Sequence, residues 1–548
     1  MSLHPQVFYL VPKETARVAR AAFPKGNVYM RMYDELGMLY ENHQFAALFP
    51  KRGQPAEAPA RLALILVMQF AENLTDRQAA DAVRSRIDWK YALGLDLTDA
   101  GFDFSVLSEF RDRLIAGEAE ELLLTTMLTH FKAQGLIKPR GKQRTDSTHV
   151  LAAIRNLNRL ELVGRTLQHA LNTLAQLAPD WLRAQITPDW FDRYSRQLDE
   201  YRLPKGEQER QTLAEVIGRD GQHLLDCLVQ DRVLDRLGPV PAVDTLRLVW
   251  EQQYERVNEQ LRWRNKDDLP PSRERIVSPH DTDARYSTKR SVTWVGYKVH
   301  LTETCDDDGP SLISHVETTL STDGDIDALT PIHTDLAKQD LLPREHVVDT
   351  AYGSGEMLET SQREYSVELV CPVPPDTSWQ AADEQAFDIT HFSIDWENCT
   401  VVCPHGKGSR YWTPGHGPSG KPTIQVQFRY TDCRACPMRE QCTRSKVGAR
   451  ELTLHPQAEH EALQAARQRQ QTPEFKARYA VRAGVEGTMS QSAYALGMRR
   501  SRYIGVVKTH LQHVLTAAAM NLTRAIAWIQ EVPRAKTRRS AFARLAAA

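Results

Sequence analysis

Three carboxylates stand in contexts that suit metal chemistry: Asp146 in "TDSTHV", Asp349 in "VVDTAYGS" and Glu486 in "YAVRAGVE". The β-branched residues around Asp146 predict a strand. Asp349 closes a short apolar run before a glycine loop, and reactants gather at such strand ends in α/β sheets. If the three converge, they cannot all stay ionised at close range without a cation. Oxygen-only ligation with open positions suits Mg²⁺ or Mn²⁺. Two such ions, about 3.5–4 Å apart, activate a nucleophile and stabilise the leaving oxygen of an in-line phosphoryl displacement. Taken singly, each has a plainer reading: a turn or cap for Asp146, a helix cap for Asp349, a surface helix position for Glu486.

Tyr479, Arg482 and Glu486 fall at i, i+3 and i+7, which puts them on one face of a helix. Phe475 and Met489 extend that line as anchors to the core. Arg482, one turn from Glu486, offsets its charge, and its planar fork suits a phosphate. The plainer alternative pairs Arg482 with Glu486 alone and puts Tyr479 in the core. Gly484 and Gly487 flank the Glu, although each costs roughly 1 kcal/mol in a helix interior.

Five of the eight cysteines fall between 399 and 442. Cys403 lies in "VVCPHGKG", and "DCRACPMREQC" supplies Cys433, Cys436 and Cys442. The C-x2-C pair with a second pair suits a structural Zn²⁺, with Cys399 and His405 as possible substitutes for one ligand. Reduced structural thiols are the alternative.

These residues need a scaffold, and the chain of 548 residues is long enough for several domains. A 41% hydrophobic and 25% charged composition is that of a globular protein. No apolar leader opens the chain and no run is long enough to span a bilayer, so a soluble cytoplasmic protein is expected. The net charge of −1 excludes a uniformly basic nucleic-acid binder but leaves local basic patches, as at 138–144, 498–508 and the tail. Residues 1–134 read as helices with tight turns, including a capping box at Thr75 and Gln78. They suit a helix-turn-helix-like module, with a helical dimerisation or scaffold domain as the alternative. Strand patterns at 143–154 and 290–372, with helices at 457–532, predict a mixed α/β core. A helical insertion at 155–289, helical to about 265, interrupts it. An irregular, Cys-rich insertion follows at 373–456, and a basic tail at 533–548. "STDGDIDALT" alternates Asp323, Asp325 and Asp327 like a calcium loop, but lacks the closing Glu and reads as a turn with a helix cap. "SPHDTDARYSTKR" reads as a loop.

With these motifs in order, the sequence resembles bacterial insertion-sequence transposases of the DDE type. "TDSTHV" resembles the first-Asp strand, "HVVDTAYGSGE" the second-Asp motif, and "YAVRAGVE" matches the Y-x2-R-x3-E signature. Residues from "GQPAEAPARLALILVMQF" to "FDFSVLSEFRDRL" resemble the N-terminal domain of one branch of the family. The resemblance implies an RNase H-like core in which Asp146, Asp349 and Glu486 hold two Mg²⁺ (or Mn²⁺) ions. Arg482 would face a DNA phosphate and Tyr479 the DNA backbone or a flipped base. The signature's Lys, seven residues beyond the Glu, is Ala493 here; either Arg499, Arg500 and Arg502, with Lys508 beyond them, contact DNA in its place, or that contact is absent. The glycines beside Glu486 would let metal and DNA approach bare backbone, and the helices of 1–134 would bind the DNA ends or dimerise. The implied activity is cleavage at terminal inverted repeats and joining to target double-stranded DNA, in a synaptic homodimer or larger assembly. A nuclease of the same core that cuts without joining and a non-catalytic DNA-binding derivative are the alternatives.

Overall fold

The computed structural model describes residues 10–533 except 55 and 259, together with positions 3, 542 and 545. Almost all of the expected basic tail lies outside the described residues.

The N-terminal part is helical from Lys13–Ala22 to Leu122–Ala133. Its central helix α1, Pro59–Ala71, begins on a proline and buries every residue from Leu62 to Phe70. Proline at that position loses no hydrogen bond and presets the helical φ. The Thr75–Gln78 capping box is formed. No helix among the described residues is long and apolar enough to cross a membrane.

The chain then builds a mixed six-stranded sheet. Its strands are β1 (Lys142–Leu151), β2 (Arg285–Lys289), β3 (Val292–Thr304), β4 (Ile313–Leu320), β5 (Glu345–Val347) and β6 (Glu368–Val370). β3 runs antiparallel to β1, β2 and β4, while β5 lies parallel to both β1 and β6. The order across the sheet is therefore β4, β3, β1, β5, β6, with β2 beside the opening residues of β3. β2 occupies sequence read as a loop: its alternating Arg285, Ser287 and Lys289 pair with the opening of β3, whose own strand pattern supplies the template.

Four helices complete the frame: α2 (Leu329–Lys338), α3 (Pro473–Ala480), α4 (Ala483–Tyr494) and α5 (Val506–Ile529). α5 buries a run of small and apolar residues, Val514 to Met520, between the sheet and the N-terminal helices. It is tied to β4 by Asn521, whose Nδ2 donates to the Ile313 carbonyl at 2.7 Å. One apolar cluster accordingly runs from Leu64 and Phe110 through Val299 and Val316 to Leu515 and Met520.

Residues 159–276 enclose a second apolar core between the helices Arg159–Leu177, Glu207–Gln230 and Pro241–Gln253. The helix expected to reach about 265 stops at Gln253 and turns into a hairpin, Tyr254–Val257 with Gln260–Trp263. Gly218 and Gly221 explain this. They open a groove that Tyr254 and Trp250 fill so closely that a Cβ would meet the rings at 2.4 and 2.1 Å. The Tyr254 hydroxyl then donates to the Ala214 carbonyl at 2.8 Å.

The cysteine region is more regular than its Pro/Gly content suggested. Ser393–Asp395 pairs with Thr400–Val402, and Tyr411–His416, Pro422–Gln427 and Glu451–Leu454 form a three-stranded sheet. Alternating Leu452 and Leu454 face Val426, Phe428, Phe392 and Val401 in a small core. That pattern is short, and the turns between the strands mask it.

Candidate active site

Asp146 lies mid-strand on β1, opposite Leu301 of β3. Asp349 caps the turn that follows β5; its Oδ1 accepts from the Thr350 amide at 2.7 Å, which leaves Oδ2 free to point away. Glu486 stands in the first turn of α4. Three elements far apart in sequence thus deliver one carboxylate each.

Arg482 draws them together. Its Nη2 lies 2.9 Å from Asp146 Oδ2 and 3.5 Å from Asp349 Oδ2, and its Nη1 lies 4.0 Å from Glu486 Oε1. Exposure rises across the group, with side chains 18% exposed at Asp146, 41% at Asp349 and 73% at Glu486, so the site opens to solvent on the Glu486 side. Burial lifts the Asp146 carboxyl above its ordinary value, and Asp349 adds to this; Arg482 and the Ser147 amide pull the other way without cancelling it. Burial disfavours the Arg482 charge, but Asp146 and Asp349 outweigh it and hold the guanidinium above its ordinary pKa. One guanidinium among three carboxylates leaves the group short of positive charge. The oxygen-only donor set and that deficit fit divalent cations.

The helix carrying Glu486 is positioned by a buried polar network. Arg144 of β1 donates from Nε to Glu303 Oε1 at 2.7 Å and from Nη1 to the Val481 carbonyl at 2.6 Å. Fully buried Glu303 also accepts from Thr488 of α4 at 2.6 Å and from Arg524 of α5 at 2.8 Å. The Tyr479–Glu486 stretch is not one continuous helix. α3 ends at Ala480, and a tight turn follows in which the Arg482 amide donates to the Tyr479 carbonyl at 2.9 Å. The break lets the Val481 carbonyl meet Arg144. Gly484 has a packing reason: a Cβ there would lie 2.1 Å from Arg144 Nη1. The expectation that it bares backbone to metal and DNA is thereby corrected. Gly487 faces open space, with nothing within 4 Å.

Tyr479 is half-buried and stacks on Phe475, with ring centroids 5.8 Å apart and planes inclined by 8°. Burial, with Asp349 and Asp146 nearby, pushes its phenol up to about 12, against the opposing Arg482 charge. The later basic residues divide. Arg499 donates to Thr148 Oγ1 at 2.8 Å. Arg502 bonds the Leu74 carbonyl and Asn73, and lies 4.8 Å over the Phe70 ring. Lys508 pairs with Asp112 at 3.0 Å. Arg500 is exposed, and its backbone bridges to Leu151. Arg499, Arg502 and Lys508 therefore fasten the chain after α4 to β1 and to the N-terminal helices.

Sequence reasoning gave no role to a neighbouring acidic group. Asp325, in the turn read only as a cap, is nearly buried and receives Lys298 Nζ at 2.9 Å, Ser147 Oγ at 3.1 Å and Lys289 Nζ at 3.5 Å. The alternating aspartates were its signal, but partners from β1, β2 and β3 are invisible in a local pattern.

Cys403, Cys433, Cys436 and Cys442 line one pocket with Phe387, Phe392, Phe428 and His405. The Lys407 amide donates to Cys403 Sγ at 3.3 Å. Burial lifts the Cys442 thiol to about 11, with the other three thiols adding to the shift. Cys399 is exposed. Four thiols lining one pocket are a donor set that suits a Zn²⁺ ion, but no three of their sulfurs are yet drawn within 4.8 Å of one another. Among the described residues, ligand atoms already within 4.8 Å of one another occur elsewhere, at His315, Glu317 and Asp335.

Against this geometry, residues 402–526 match the family model described as a transposase DDE domain, and residues 17–113 match a transposase domain model, DUF772. No curated protein matches the chain. The two matches support a DDE-type transposase and suggest a polynucleotidyl transferase-type enzyme. The first includes Arg482 and Glu486 but begins after Asp146 and Asp349, which join the site through the fold.

Proposed function

We propose that the chain is a DNA transposase that binds the ends of a mobile element, cuts there and joins them to target DNA. The observation that carries this reading is the meeting of Asp146, Asp349 and Glu486 around Arg482, in a chain whose two family matches are both transposase domains. A sheet ordered β4–β3–β1–β5–β6, with three antiparallel strands followed by two parallel ones, supports an RNase H-like core.

In this reading the three carboxylates hold two Mg²⁺ or Mn²⁺ ions, which would activate water or a DNA 3′-hydroxyl and stabilise the leaving oxygen. Asp146, the most buried of the three, is the anchor. Glu486, the most exposed, meets the incoming substrate. Arg482 holds the carboxylates together at rest and turns its fork to a phosphate once cations take over that work. Tyr479 and Phe475 offer an aromatic stack beside it for the DNA backbone. Arg500 is the basic residue placed to follow the strand; Arg499, Arg502 and Lys508 act by holding it in position. The N-terminal helices serve end recognition, and the four thiols hold a structural Zn²⁺. Synapsis of two ends calls for at least a dimer.

The test is a reaction of the full chain with Mg²⁺ and DNA carrying the inverted repeats that flank its coding region. Joined product supports the reading. Cleavage without joining would favour a nuclease, and binding without either a non-catalytic derivative.

A further inference from the structure

His315 is 2% exposed, and neither of its ring nitrogens has a hydrogen-bond partner. A buried imidazole with both nitrogens unpaired is rare in a folded protein and calls for an explanation. On β4 it shares a face with Glu317, two residues on. Glu317 Oε2 lies 3.6 Å from His315 Nε2, which is too long for a hydrogen bond. Asp335 of α2 comes down over the same face, and one ligand atom from each of the three lies within 4.8 Å of the other two. Three donors about 2.0–2.2 Å from one tetrahedral ion stand about 3.3–3.6 Å apart, so side-chain shifts of at most about 1.5 Å would close the group on an ion.

We propose that His315, Glu317 and Asp335 form a binding site for a divalent transition ion of the Zn²⁺ class. It shares no residue with the Asp146–Asp349–Glu486 group and stands or falls independently of it. The imidazole selects against Mg²⁺, which prefers oxygen alone, and in favour of Zn²⁺, which takes mixed nitrogen and oxygen ligands. Water completes the shell on the open side, where Asp335 is half-buried. The competing partner of Asp335 is Lys338 at 2.7 Å, an exposed pair on the same helix that yields readily to an ion. One turn from Asp335, Gln339 carries a buried Oε1 that also lacks a partner.

The ion would clamp the outer strand β4 to α2. α2 in turn meets β5 through His333 Nε2 and His346 Nδ1, 2.8 Å apart, and β5 leads directly to Asp349. The site therefore fixes the helix that backs the second aspartate's strand.

The test counts zinc. The full chain, stripped with chelator and dialysed against buffered Zn²⁺, is compared with Asp335→Asn and Glu317→Gln by elemental analysis of bound metal per chain. Every other zinc-binding group is the same in all three, so the difference reports this site alone. The proposal predicts one equivalent fewer in each variant and a smaller Zn²⁺-induced rise in melting temperature. Equal zinc and an equal rise would overturn it. Asp335 lies on the open side of α2, so its variant keeps the fold and decides the matter even where Glu317→Gln does not fold.

Discussion

Gly484→Ala tests how Glu486 is held in place. Alanine is the better helix former by roughly 1 kcal/mol, so helix propensity alone predicts a more stable α4. The structure predicts the reverse. The new methyl would sit 2.1 Å from Arg144 Nη1 and 2.5 Å from its Cζ. Arg144 cannot swing away cheaply, because it is paired at 2.6 Å with Glu303, which is fully buried, and it also holds the Val481 carbonyl. Breaking such a buried pair costs about 3–5 kcal/mol. Less the propensity gain, α4 should lose about 2–4 kcal/mol of local stability. Gly487→Ala is the internal control: with nothing within 4 Å it should gain up to about 1 kcal/mol. Hydrogen exchange of amides 483–494, read as opening free energy, separates the two. A Gly484→Ala chain as protected as the parent would refute the claim that the Arg144–Glu303 network holds α4.

The site, the buried histidines and the cysteine pocket give one further expectation each. The Asp146 pKa is raised in the folded chain, so the stability linked to it is present at acid pH and lost as pH rises through the folded value. Asp146→Asn should therefore melt higher than the parent at pH 7 in metal-free buffer, with the gap closing below about pH 4. A variant that melts lower at pH 7 would contradict this. Burial pushes His300 and His333 down to about 4 and His513 to about 3, so their stabilising effect is present above about pH 6.5 and is lost as pH falls. Each accounts for on the order of 3 kcal/mol across that window, and urea midpoints should drop sharply between pH 7 and 5; a flat profile would count against it. Zinc chelation, or Cys436→Ser, should speed proteolysis within 387–454 and leave the 142–151 strand protected; an unchanged digest would speak against zinc at the thiols.

The sequence exposed the site better than its supports. Asp146, Asp349 and Glu486 could be singled out because each sits in a short local motif, and a carboxylate's context is local. Arg482 was visible as a neighbour of Glu486, yet its contacts with Asp146 and Asp349 depend on a break after Ala480 that no helical period announces. Gly484 was misread for the same reason, since its partner Arg144 lies 340 positions earlier in the chain. Arg502 and Lys508 read as DNA-contacting cations, and only the folded chain brings Asn73 and Asp112 to them. The helix ending at Gln253 fell to the glycine groove that receives Tyr254, again a tertiary cause.

The central claim is that three carboxylates gathered at Arg482 carry metal-dependent DNA chemistry. Asp349→Asn tests it most directly, because this side chain is partly exposed and keeps its bulk, its Oδ1 and its capping bond to Thr350. In a Mg²⁺ reaction with end-bearing DNA, the account predicts loss of both cleavage and joining, with DNA binding and melting temperature retained. Cleavage and joining at the parent's rate would contradict it.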